Sequence, residues 1–220
     1  VCARQRNWHP VESSITLSHK GVENNDYEQS VKYDSDYKEN LTCRYLSPKY
    51  DFYTSIESLT EILKNKDEQF ILEALRIIEP MIKDIVLSQN EVLVDVGLNK
   101  RIPINVMGDG ARKILSILTT IYECRNGIVL IDEISNGFHY SVMKALWQTI
   151  LLASKKNNVQ LFATSHDLDS IKGLRDAALH DEGDKVAFFK LQRTADDELK
   201  SYCYTTESID YMLNQEIEVR

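Results

Sequence analysis

Gly127-Ile-Val-Leu-Ile-Asp-Glu-Ile-Ser-Asn-Gly-Phe138 is the stretch that decides the fold class of this chain. Four apolar residues, Ile128 to Ile131, run unbroken into two adjacent carboxylates, Asp132 and Glu133. A short apolar run bounded by turn residues reads as a strand buried on both faces of a sheet. Carboxylates at the end of such a strand are costly to desolvate unless a cation, a proton or a donor meets them. Ligands of open α/β sheets bind at the carboxyl ends of the strands, so the pair stands where a nucleotide site is built. The alternative is a plain strand end, with both carboxylates capping a turn.

Working outward, Val159-Gln-Leu-Phe-Ala-Thr-Ser-His-Asp167 is a second apolar strand and ends in Thr-Ser-His166. Between the two, Val142, Ala145, Leu146, Ile150 and Ala153 recur at helical spacing. Strand, helix, strand predicts a βαβ unit with parallel strands, a right-handed crossover, and Glu133 and His166 opening on one crevice. Upstream, Gly108 and Gly110 flank Asp109 just before a helical pattern carrying Ile114, Leu115, Leu118, Ile121 and Tyr122. Glycines admit close backbone approach. A helix N-terminus offers unpaired N–H groups to phosphate, and Arg112 and Lys113 add positive charge. The competing reading is an ordinary loop with Asp109 as the cap.

Together these motifs resemble the C-terminal half of ABC-type ATPases, in the SMC-like and OLD-like branch of bacterial AAA-family proteins. The resemblance covers roughly residues 70 to 170. It implies that Ile128 to Asp132 form the Walker B strand, with Asp132 holding the water shell of Mg²⁺ and Glu133 acting as general base. Ser135-Asn136-Gly137-Phe138-His139 resembles the loop that follows, with Asn136 near the nucleotide. His166 matches the switch histidine at the γ-phosphate. Gly108, Asp109 and Gly110 resemble a degenerate signature loop, which in that family meets the nucleotide of the opposite subunit and so lies away from the chain's own crevice. The cofactors implied are ATP and Mg²⁺, and the assembly implied is a homodimer closed head to head on ATP. An effector protein or DNA would be the further partner, in phage defence or another DNA-linked role. Asp132, Glu133, His139 and His166 as direct zinc or manganese ligands are a rival. A non-enzymatic, ATPase-like dimerisation module is the alternative of a different class.

None of the eight glycines is followed by lysine, so no Gly-x-x-x-x-Gly-Lys-Ser/Thr cradle is present in these residues. The expectation is therefore a C-terminal portion of a longer ATPase, lacking the Walker A segment and inactive by itself. The fold class expected is α/β, a largely parallel sheet with flanking helices and an irregular or β-rich N-terminal part. Residues 1–53 are assigned to a polar β/loop region of an incomplete N-terminal lobe. Residues 54–220 are assigned to the C-terminal lobe, with a helical segment over 54–90.

The remaining signals are weaker. Tyr27, Tyr33, Tyr37 and Tyr45 alternate with charges and suggest short strands over 29–33 and 41–46. Thr54 and Glu57 suggest a helix start. Ile71, Leu72, Leu75 and Ile78 predict a helix over 68–79 that Pro80 interrupts. Val92, Val94 and Val96 alternate as in a strand, residues 168–174 look helical, and 186–191 with 201–205 read as a hairpin around Asp196-Asp197-Glu198. His9, His19 and His180 lie in polar surroundings and read as surface residues. The four cysteines form no C-x-x-C pair, which favours free thiols. A formal net charge of −8 argues against a broad nucleic-acid surface. No apolar run approaches the ~20 residues of a membrane span, and a cytoplasmic location follows as the expectation.

Overall fold

The computed structural model describes residues 5–6, 9–10, 14–19, 27–32, 41–47, 55–89, 91–179, 186–194 and 198–214. Tyr33, Tyr37, Thr54, His180 and the Asp196-Asp197 turn lie outside them. The chain divides into two compact units, residues 1–41 and 42–220. In the first, β1 (Gln5–Arg6) pairs antiparallel with β2 (His9–Pro10), and β3 (Ser14–His19) with β4 (Tyr27–Lys32).

The second unit begins with β5 (Cys43–Leu46). The sequence put this strand in the N-terminal part, but it belongs to the parallel sheet that carries the site. That sheet has the order β10-β9-β5, where β9 is Ile128–Ile131 and β10 is Gln160–Ala163. β9 is the central strand and runs parallel to both neighbours, in the register Leu46↔Ile131↔Ala163. The expected βαβ unit is present, with α4 (Met143–Lys156) as its crossover. Expected burial on both faces of β9 is only half realised. Val129 and Ile131 are buried, whereas Ile128 and Leu130 are half-buried. Successive side chains of a strand point to opposite faces. Tyr45 and Phe162, which flank Leu130 in register, are half or more exposed.

The helices bury the other face. α1 (Ser55–Lys64) and α2 (Glu68–Ile78) pack on α3 (Asp109–Glu123), and α3 packs on α4. α3 is the axis of the core. Ile114, Leu115, Ile117, Leu118 and Ile121 are at most 2% exposed, each contributing about 1.5–3 kcal/mol of burial. Neither glycine nor proline interrupts the helix after Gly110. It ends at Cys124, and Asn126 takes the left-handed conformation (φ 61°) expected for the Asn126-Gly127 cap. Gly127 is required for a different reason: a Cβ there would overlap the Thr42 carbonyl oxygen, which accepts the Ile128 N–H at 2.9 Å.

Three further elements were not read from the sequence or were read only in part. β6 (Asp84–Ser88), β7 (Glu91–Asp95) and β8 (Ile102–Pro103) form an antiparallel sheet, of which only the valines of β7 were anticipated; the helical segment expected over 54–90 ends at Ile78, and β6 occupies its last part. The hairpin β11 (Ala187–Arg193) with β12 (Leu199–Thr205) is as expected. It docks with α6 (Thr206–Asn214) on α5 (Leu168–Ala178), through Ile171, Ile209, Phe188 and Tyr204. Among the described residues no helix is long and apolar enough to cross a membrane.

Candidate active site

At the end of β9 the chain turns through Glu133, whose φ of 52° is left-handed. For a residue with a side chain this costs about 1–2 kcal/mol and persists where the surroundings over-determine it. Here they do. The Glu133 N–H donates to Thr164 Oγ1 at 2.9 Å. Its carbonyl accepts from Lys113 Nζ at 2.8 Å and from the Asn136 N–H at 3.1 Å. The next N–H, of Ile134, donates to the Thr164 carbonyl at 3.0 Å.

Thr164, the first residue after β10, binds both carboxylate residues. Its hydroxyl accepts from Glu133 and donates to Asp132 Oδ1 at 2.5 Å. The Tyr45 hydroxyl approaches Asp132 Oδ2 at 3.4 Å, a weaker contact. Ser135 Oγ and Ser165 Oγ lie 3.0 Å apart, and Ser165 Oγ accepts the Asp167 N–H at 3.1 Å. Asp167 then caps α5 through the Asp169 N–H. The two strand ends are thus joined side by side, and Glu133 and His166 open on the same crevice, as the βαβ geometry requires. His166 Nδ1 lies 2.7 Å from Glu133 Oε2. That oxygen is screened from solvent and has no aligned hydrogen bond, so the contact is one of proximity and becomes an ion pair when the imidazole is protonated. Glu133 is 28% and His166 75% exposed at the side chain.

The Gly108–Gly110 stretch opens α3, as expected. Gly108 (φ 88°) is the N-cap; Asp109 makes no capping bond and reaches Arg112 at 3.2 Å instead. This removes the capping role considered for Asp109. The stretch packs against the turn after β9. A Cβ on Gly110 would stand 3.3 Å from the Gly137 carbonyl oxygen and 3.5 Å from Phe138 Cδ1, and Gly137 is itself left-handed (φ 82°). The first turn of α3 and the loop beyond the crevice are therefore direct neighbours within one chain, closer than the sequence reading placed them. Lys113 is also corrected. The residue is 3% exposed, and its ammonium donates to the carbonyls of Glu133 (2.8 Å) and Asn136 (2.7 Å). Burial pulls its pKa down from 10.5 to about 8, against the opposing pull of the Glu133 charge.

His139 caps the short 3₁₀ turn Tyr140–Val142, its Nδ1 2.9 Å from Ser141 Oγ. Among the described residues no three His, Cys, Asp or Glu side chains converge as a metal cage, which tells against the direct zinc or manganese reading. Mg²⁺ is a better fit to this donor set, because it keeps several waters and takes one or two carboxylates alongside substrate phosphates. Asp132 is fixed through Oδ1 by the Thr164 hydroxyl.

Residues 9–171, about three quarters of the chain, match the family model described as "AAA domain, putative AbiEii toxin, Type IV TA system", and the chain belongs to that family. An ATP/GTP phosphatase of Helicobacter pylori is 31% identical over 78 residues, which are 34% of this chain and 21% of that protein. An uncharacterised protein of Methanocaldococcus jannaschii is 36% identical over 74 residues, 33% of this chain and 63% of that one. The match thus spans about a fifth of the first relative's length. Similar solved structures include one described by ATP-driven dimerisation and DNA-stimulated activation of SMC ATPases (TM-score 0.47, 13% identity, 77% of this chain and 97% of that one). Another is an Smc head with an extended coiled coil bound to the C-terminal domain of ScpA, from Pyrococcus furiosus (TM-score 0.44, 16% identity, 73% and 42%).

Proposed function

We propose, starting from membership of that AAA-domain family, that this chain carries the hydrolytic half of an ATPase head. Glu133 orients and deprotonates the water that attacks the γ-phosphate. Asp132 holds the hydration shell of Mg²⁺, and His166 contacts the γ-phosphate from the neighbouring strand end. The bound ion would supply neutralisation of phosphate charge. The protein's share is positioning and electrostatic stabilisation, as in phosphoryl transfer generally. A phosphate cradle would complete the site. The start of α3, with Gly108 and Asp109 exposed and Gly110 behind them, would meet the nucleotide of a second copy in an ATP-bridged homodimer, with Asn136 beside it. Closure on ATP and opening after hydrolysis would drive an effector protein or a DNA-linked process such as phage defence, with the protein acting in the cytoplasm.

The observation that carries this reading is the Asp132–Glu133 pair at the end of the central parallel strand, both residues tied to Thr164 and Glu133 turned onto His166. The experiment is magnesium-dependent phosphate release from ATP by the full-length natural protein, alongside Asp132→Asn. Release that falls by about 10²-fold or more in the variant supports the assignment. Release unchanged by the substitution overturns the role given to Asp132, and no release from the wild type leaves the non-enzymatic dimerisation module.

A further inference from the structure

A lysine rarely sits fully buried unless something compensates its charge. Lys113 is 3% exposed and lies in the first turns of α3, the most buried helix among the described residues. Its ammonium donates to two main-chain carbonyls, those of Glu133 and Asn136, at 2.8 and 2.7 Å. It also lies 5.4 Å from the centre of the Phe138 ring. All three partners belong to one loop, the segment that leaves β9. An apolar side chain at 113 would fill the space but would take this charged donor away from both carbonyls.

We infer that Lys113 is a positioning residue that ties the start of α3 to the loop bearing Glu133 and thereby holds Glu133 in its left-handed conformation. Three observations converge on it. The Glu133 carbonyl is one of the two ends of the strained peptide, and Lys113 is its charged donor. The Asn136 carbonyl closes the same turn, in which the Asn136 N–H returns to the Glu133 carbonyl at 3.1 Å. Gly110 and Gly137 let the two backbones approach within ordinary contact, one turn before the lysine. The Glu133 side chain points where its backbone aims it. Releasing the carbonyl lets the residue relax toward right-handed or extended backbone and moves the carboxylate away from His166. The same tether makes Gly108–Gly110 and Glu133 parts of one rigid block.

The inference rests on the hydrolytic role proposed for Glu133, so its test has one arm that needs no nucleotide. Lys113→Met and Lys113→Arg are compared with wild type in the full-length protein by backbone amide exchange. Expected in Lys113→Met is exchange about 10- to 100-fold faster over residues 133–138, with the middle of α3 and β9 unchanged, and partial recovery in Lys113→Arg. Unchanged exchange over 133–138, or faster exchange throughout α3 and β9 alike, overturns the positioning role. In the second arm kcat should fall about 10- to 100-fold in Lys113→Met, with KM for ATP within about threefold. If Glu133→Gln is slow while Lys113→Met keeps the wild-type kcat, the inference fails alone. If Glu133→Gln also keeps its rate, the hydrolytic reading fails instead, and the amide-exchange arm still decides the tether.

Discussion

His166 Nδ1 stands 2.7 Å from Glu133 Oε2, so the two side chains that end adjacent parallel strands meet each other across the crevice they form. Neither occupies that place through its own strand alone. Thr164 binds the Glu133 N–H, and the Ser135–Ser165 contact joins the two turns. A γ-phosphate between them would exchange this contact for two contacts to the ligand. His166→Ala should therefore lower kcat for ATP by about 10²-fold while leaving the folded state as stable as wild type, because His166 is largely exposed. Steady-state hydrolysis and thermal unfolding of the full-length protein check the two halves.

Thr164→Val keeps the shape and removes the hydroxyl that serves Asp132 and Glu133 together. The Glu133 N–H and Asp132 Oδ1 both lose a partner. Expected is a loss of about 1–3 kcal/mol of stability, together with lower hydrolytic activity. Urea unfolding measures the first; a stability equal to wild type would mean the hydroxyl is replaceable by water.

Gly127→Ala should be among the more disruptive single changes in the second unit. The added methyl would overlap the backbone carbonyl of Thr42, and backbone cannot swing aside as a side chain can. About 1–3 kcal/mol of destabilisation is expected, measured as a lowered denaturation midpoint. By contrast, a Cβ on Gly108 meets nothing within 4 Å, and only its φ of 88° opposes alanine there, at about 1–2 kcal/mol. If Gly127→Ala matches wild type, β5 and β9 are not held as tightly as the geometry states.

Burial first, and the Glu123 charge second, push the Cys124 thiol from 9.0 up to about 11. Its folded form therefore keeps a proton that the unfolded chain releases earlier. Between about pH 9 and pH 11 the unfolded state binds fewer protons, so this residue's contribution to stability is lost as pH rises through that window. Cys124→Ala should flatten that part of the stability profile. Thiol labelling at pH 8 should modify exposed Cys43 and Cys203 and spare Cys124.

How far the sequence could be read depends on how local each signal is. The β9–α4–β10 unit was legible because an unbroken apolar run, a 3.6-residue stripe and a second run follow one another. β6 was not, because Asp84–Ser88 is five residues long and is a strand mainly through pairing with β7. β5 was assigned to the wrong part for the same reason: Cys43–Leu46 gains its place only from β9, more than eighty residues away. At the site, Asp132, Glu133 and His166 announced themselves as polar ends of apolar strands. Thr164 was seen only as part of that ending, since nothing local tells that its hydroxyl serves two carboxylate residues. Lys113 was read with Arg112 as positive charge for a phosphate, whereas it turns inward to two carbonyls. The signal available was its spacing: four and seven residues before Ile117 and Thr120, it falls on a buried stripe of α3.

The single-turnover rate of ATP cleavage by Glu133→Gln, in the full-length natural protein with Mg²⁺, tests the central claim most directly. The substitution keeps the size and hydrogen-bonding shape of the side chain and removes the base, and the single-turnover rate excludes product release. Expected is a fall of about 10²- to 10⁴-fold with ATP still bound, and accumulation of ATP-bridged dimers. A rate within about twofold of wild type would contradict the claim and return Asp132 and Glu133 to the capping of a strand.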